Sequence, residues 1–119
     1  MTGLKISNMA KAFLYDDANA GNEDEKYTVA FLNRIIAETF NVENSIREAK
    51  GQTVLEGIPY IEGLEKDIPY DEQMLRTAFV YALAAHYWQE ELDSYQAATC
   101  QAMYERAVSD LKRAVWVSL

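Results

Sequence analysis

Two copies of the tripeptide Ile-Pro-Tyr, Ile58-Pro59-Tyr60 and Ile68-Pro69-Tyr70, stand ten residues apart and contain both prolines of the chain. Proline lacks an amide hydrogen and drives the residue before it out of the helical region, so no helix crosses either copy. The chain is thereby divided. From Asp71 to Leu119 there is neither Gly nor Pro, and a second such run extends from Asn22 to Lys50 between Gly21 and Gly51. Both runs predict helix. The segment between them, 51–70, is rich in apolar residues (Val54, Leu55, Ile58, Tyr60, Ile61, Leu64, Ile68) and therefore predicts a packed, extended crossover with at most a short hairpin.

Apolar spacing fills in this skeleton. Leu4, Ile6, Met9, Ala12, Phe13 and Leu14 predict a short first helix. Val29, Leu32, Ile36, Phe40 and Ile46, widened by Phe31 and Ile35, predict a second helix that is weakest at 41–44, where Asn44 or Ser45 is a candidate cap and Gly51 the stop. Leu75, Ala78, Phe79, Ala82, Leu83 and His86 mark one face of a third helix starting near Asp71. Ala97, Cys100, Tyr104, Ala107, Leu111 and Ala114 form a narrow seam on a fourth, with Asp93 and Gln96 spaced as a capping box at its start. The expected fold is all-α: a single domain, 1–119, of about four helices, in which Asp71–Leu92 and Ser94–Val115 pack as an antiparallel pair.

The net charge of −8 is unevenly spread. Residues 51–93 hold nine acids and only two bases, Lys66 and Arg76, whereas 94–119 hold two acids and three bases. Tight binding to nucleic acid needs clustered Lys and Arg, so it is disfavoured. An acidic surface suits a channel through which DNA must slide without sticking. Solubility accounts for it equally well. No stretch approaches the ~20 apolar residues of a membrane span, and no apolar signal-peptide core opens the chain. With Cys100 as the one cysteine, a reducing, cytosolic setting is expected.

Catalytic patterns are sparse. His86 and Glu90 share a helical face, but one histidine in the chain provides no second imidazole for zinc, and the paired Glu-x-x-His of di-iron bundles is absent. Cys100 falls on the seam and reads as a buried thiol. The Asp- and Asn-rich stretch 16–25 offers ligands for calcium but lacks the spacing of a calcium loop. No cofactor is implied. The apolar closing residues Val115-Trp116-Val117-Ser118-Leu119 and the aromatic third helix point instead to contacts, through docking or by folding back over the bundle. Tyr87, Trp88, Trp116, Val117 and Leu119 are the candidate partner or oligomer contacts.

Phe31-Leu32-Asn33 through Ala37-Glu38, then Asn44, Arg47-Glu48-Ala49-Lys50-Gly51, Ile58-Pro59, Leu64 and Ile68-Pro69-Tyr70, resemble the head-tail connector (adaptor) proteins of tailed bacteriophages and prophages. So do Leu75-Arg76, Tyr81-Ala82-Leu83-Ala84-Ala85, Glu90-Glu91-Leu92-Asp93 and Tyr104-Glu105, although the family often has a small residue where Tyr81 stands. The likeness spans about residues 27–114. It implies a non-enzymatic structural virion protein that forms a homo-oligomeric ring beneath the portal protein and contacts a tail-proximal connector. DNA would only pass through, no membrane is involved, and the protein would move from the host cytoplasm to the head-tail junction of the virion. Two other readings stay open: a small helical regulatory module that binds a protein through its Trp116 tail, and a metal-assisted hydrolase built on His86 and Glu90.

Overall fold

The computed structural model describes residues 1–14 and 25–118, with the side chains of 14 and 116–118 left out of the description. Helix dominates, and among the described residues no strand forms. The all-α expectation holds. The calcium-loop alternative at 16–25 falls almost wholly outside the described residues.

Helix α1 spans Gly3–Lys11, with Thr2 as its N-cap accepting from the Lys5 amide at 3.2 Å, and a 3-10 turn, Ala12–Leu14, follows it. Its buried face differs from the expected one. Gly3, Ile6, Ser7, Ala10 and Lys11 point inward, while Leu4 (47 % exposed) and Phe13 face out. The reason is Gly3: a β-carbon there would lie 3.2 Å from both Leu32 and Leu64, so glycine lets the first turn sit directly on the core. The Gly3 and Leu4 amides also donate to the carbonyls of Lys66 and Leu64, fastening this turn to the crossover.

The second helix is two helices, α2 (Glu25–Glu38) and α3 (Phe40–Ala49). The break lies at Thr39 and not at 41–44. Thr39 leaves the helical region at φ −102° and ψ 6°, and its buried hydroxyl joins its own amide on the Ile35 carbonyl, at 2.7 and 3.0 Å. The Glu43 amide still donates to the Thr39 carbonyl at 3.0 Å, so hydrogen bonding resumes across the joint. Gly51 stops α3 as expected, at φ 71°, with the Gln52 amide donating to Arg47 O and the Gly51 amide to Glu48 O.

After the crossover, Asp71 caps α4 (Glu72–Met74), which passes through a π-helical turn, Leu75–Phe79, into α5 (Val80–Glu90). The rod is buried almost all round from Met74 to Ala85, because α1, α2 and α6 (Ser94–Ser118) all pack on it. Small residues make this enclosure feasible. Ala78, Ala82, Ala84 and Ala85 are each buried and leave room for neighbouring backbones. Helix α6 returns beside α5, and its seam is buried at Ala97, Cys100 and Leu111, half-buried at Tyr104 and Ala107, and exposed at Ala114.

Candidate functional site

The crossover is held by side chains from the helices beneath it. Asn33 of α2 accepts from the Ile61 amide and donates to the Ile61 carbonyl, both at 2.9 Å. Asn44 of α3 does the same for Leu55, at 2.8 and 3.1 Å. Each amide thus replaces a neighbouring strand, satisfying both polar groups of one extended residue. At the far end, Glu43 is buried yet ionically matched: its carboxylate takes Arg47 Nε at 2.6 Å and the Asp71 amide at 2.6 Å. Arg47 spans the base of the loop, donating also to the carbonyls of Thr53 and Pro69. Tyr70 donates its hydroxyl to Ile36 O at 2.6 Å, and Lys50 pairs with Asp71 at 2.7 Å.

A strap so pinned presents a fixed surface. Val54, Ile58 and Tyr60 project from it into solvent, beside the exposed carboxylates of Glu56 and Glu62. Asn33 and Asn44 turn toward the strap, whereas Glu38 and Ile46 turn toward α6, so the strap and α6 flank the α2–α3 layer.

His86 lines a cleft of about 240 Å³ between α2, α5 and α6, with Arg34, Glu38 and Tyr104. Its ring stacks on Phe31, centroids 4.4 Å apart and 16° from parallel. Nε2 is buried 3.1 Å from Glu90 Oε1, but the approach lacks hydrogen-bond alignment. The Tyr104 hydroxyl donates to Glu38 at 3.2 Å and is pushed up to about 12, first by burial and then by the Glu38 charge. A phenol held so far above neutrality is a donor and not a base. Among the described residues no group of three or more His, Cys, Asp or Glu is placed to hold a metal ion. Cys100 is buried, and burial raises its thiol pKa further from the reactive thiolate.

The α5–α6 turn contains the one non-glycine residue of positive φ among the described residues, Leu92 at 60°. The Asp93 amide donates to Trp88 O and the Leu92 amide to Gln89 O, both at 3.0 Å, which closes the αL turn that commonly ends a helix and normally uses glycine. Leu92 is 92 % exposed and Tyr95, in the next turn, 78 %. Asp93 then caps α6 by accepting from the Gln96 amide at 3.0 Å.

Of the contact residues expected from sequence, Tyr87 lies in the interior. It is 5 % exposed and its hydroxyl meets Ser7 at 2.7 Å and Thr28 at 3.3 Å, so its ring joins α1, α2 and α5 and offers little surface to a partner. The correction has a simple cause: Tyr87 stands on the side of α5 that faces α1 and α2, so its ring packs inward. Trp88 is half-buried against the core. The backbone of Trp116 and Val117 continues α6, but their side chains, and Leu119 altogether, lie outside the described residues. Among the described residues the exposed apolar surface is carried by Leu92, Tyr95 and the strap residues, with Leu4, Phe13 and Tyr27 elsewhere. Among the described residues no helix is long and apolar enough to cross a membrane. The chain matches no protein-family model, no curated protein and no solved structure.

Proposed function

We propose that the chain is a structural component of a viral head-tail junction, a connector that assembles with copies of itself into a ring beneath the portal and extends the DNA channel toward the tail. The observation that carries this reading is where its connector-like residues fall. Asn33, Asn44, Arg47, Leu64 and Tyr70, all part of that likeness, are the residues that bind the crossover to α1, α2 and α3. The likeness thus concerns how a strap is fastened to a helical bundle, an architectural trait. It suits a protein whose task is to hold a shape and present surfaces. The exposed acids of 51–93 suit a wall past which DNA moves, since like charge keeps the duplex from adhering.

Mixing the purified chain with portal rings from the same genome and imaging the product by electron microscopy tests the reading. The expected product is a portal ring with an added tier on its tail-facing side. Portal rings that remain bare at tens of micromolar chain would overturn it.

A further inference from the structure

The joint between α2 and α3 is bridged twice from outside, and both bridges come from the crossover. Asn33 stands six residues before Thr39 and Asn44 five residues after it. Asn33 holds Ile61 by its amide and carbonyl, and Asn44 holds Leu55 in the same way, so the strap runs antiparallel to the two helices with the joint between its clamps. At the far end of the strap two adjacent residues divide between the helices. The Tyr70 hydroxyl donates to Ile36 O of α2 at 2.6 Å, whereas the Asp71 amide donates to Glu43 of α3 at 2.6 Å and the Asp71 carboxylate takes Lys50, the cap of α3, at 2.7 Å. Thr39, Tyr70 and Glu43 are all buried, so water competes little for the second bridge.

The first bridge has little slack. From Asn33 to Asn44 a helix rises about 16 Å, and the backbone from Leu55 to Ile61 reaches about 20 Å at full stretch. Bends at Glu56 and Gly57 take up the difference. A strap of that length resists any movement that carries the two asparagines apart. The joint is the place where such movement would start, since Thr39 lies outside helical φ and ψ and a few such residues absorb the rotation of one rigid element against another. On the opposite face each helix makes its own contact with α6: Glu38, the last residue of α2, accepts from the Tyr104 hydroxyl, and Ile46 of α3 lines a cleft with Leu111 and Val115. Both contacts are made together only at one orientation of α2 against α3.

We propose that Thr39 is a hinge and the crossover its splint: fastened at Asn33 and Ile36 on one side and at Asn44 and Glu43 on the other, the strap fixes the orientation of α2 against α3 and with it the paired contacts to α6. While the strap is fastened the hinge is locked. Releasing the strap frees it, so a change on the face that carries Val54, Ile58 and Tyr60 is felt at Tyr104 on the other. The splint goes beyond the connector reading and does not rest on it.

Spin labels on Ala30→Cys of α2 and Glu48→Cys of α3, both exposed positions, report the orientation in a Cys100→Ala chain as a distance distribution by pulsed electron paramagnetic resonance. With the strap intact the distribution should be single and narrow. Adding Asn33→Ala and Asn44→Ala together should widen it about twofold or more while far-ultraviolet circular dichroism keeps the helical signal. In the same variant, amide exchange at Leu55 and Ile61 should become fast, which shows that the strap has let go. The Tyr104 phenol should then titrate below about 12, because the Glu38 charge that helps to raise it is no longer held against it, and tyrosine-ring NMR reads this. Fast exchange at both amides with an unchanged distance would overturn the splint, by showing that the core and α6 set the orientation unaided. Slow exchange at either amide would overturn it too, since the asparagines would not be the fasteners. A broad distribution with the strap intact has the same force. A Tyr104 titration that stays put in a chain whose distances widen would overturn the link to α6. Should the double variant lose its helical signal, Tyr70→Phe decides by the same distance: it keeps the ring and removes only the bond to Ile36, so widening supports the splint and an unchanged distance overturns it.

Discussion

Asn33 and Asn44 do the work of an absent strand, and they were not legible as such. An asparagine inside a helical run reads as a weak point or a cap, and Asn44 was expected to be one or the other. Its partner is Leu55, and that of Asn33 is Ile61, contacts between residues far enough apart that only the folded chain brings them together. Local pattern carries no trace of them. Leu92 was hidden for the opposite reason, since nothing in its neighbours forces a positive φ on it. By contrast Gly51, at a position of φ 71°, was readable because glycine is the residue that conformation selects. Replacing Asn33 with Ala removes two hydrogen bonds and leaves both polar groups of Ile61 without their partner. The expected cost is about 1–3 kcal/mol in urea unfolding. A change indistinguishable from zero would mean that water replaces the amide without loss.

Helices were the easiest elements to find and their faces the hardest. The prolines and Gly51 bounded the runs correctly among the described residues, and the antiparallel pairing of the third and last helices followed from a short turn between them. The face of α1 was displaced because glycine carries no hydrophobic weight in a periodicity, yet Gly3 is the closest approach of α1 to the core. The break at Thr39 is a departure of one residue from helical φ and ψ, which sequence pattern does not register. The π-turn likewise adds a residue to one turn of the third helix without any Gly or Pro to announce it. Burial grades the two leucines expected to anchor the pair: Leu83 is 0 % exposed and Leu111 8 %. Leu83→Ala should therefore cost about 2–5 kcal/mol and Leu111→Ala less, both read from denaturant midpoints. A larger loss at Leu111 would reverse the assignment of the core.

At the scale of the molecule, charge and tyrosine chemistry set how it responds to its surroundings. The acids of 51–93 should keep labelled duplex DNA unretained by micromolar chain at near-physiological salt, and retention would contradict the proposed channel wall. Tyr70, Tyr87 and Tyr104 all hold their protons above the ordinary tyrosine value of 10, in each case chiefly through burial. The unfolded chain therefore releases these protons first. Their contribution to stability is complete below pH 10 and declines as pH rises from there toward and past the folded values, about 12 for Tyr104. Urea midpoints should thus be level near neutrality and fall steeply above pH 10, with a shallower fall in Tyr70→Phe. A midpoint that stays level to pH 11 would show that the phenols ionise without unfolding. Overall class was open to sequence reading, because it follows from which residues are present. Which apolar residues remain outside was not, because that depends on how many helices surround α5.

The fastening of the strap also governs its timing. A segment with no ladder of its own would ordinarily open on its own schedule, exchanging its amide hydrogens quickly while the helices stayed shut. Here the Leu55 and Ile61 hydrogens are lodged in the side chains of Asn44 and Asn33. Their exchange should be slow, at rates tied to those of α2 and α3, and in an Asn33→Ala chain the Ile61 hydrogen alone should become fast. Strap and helices then open as one event, so the surface carrying Val54, Ile58 and Tyr60 lasts as long as the helices beneath it.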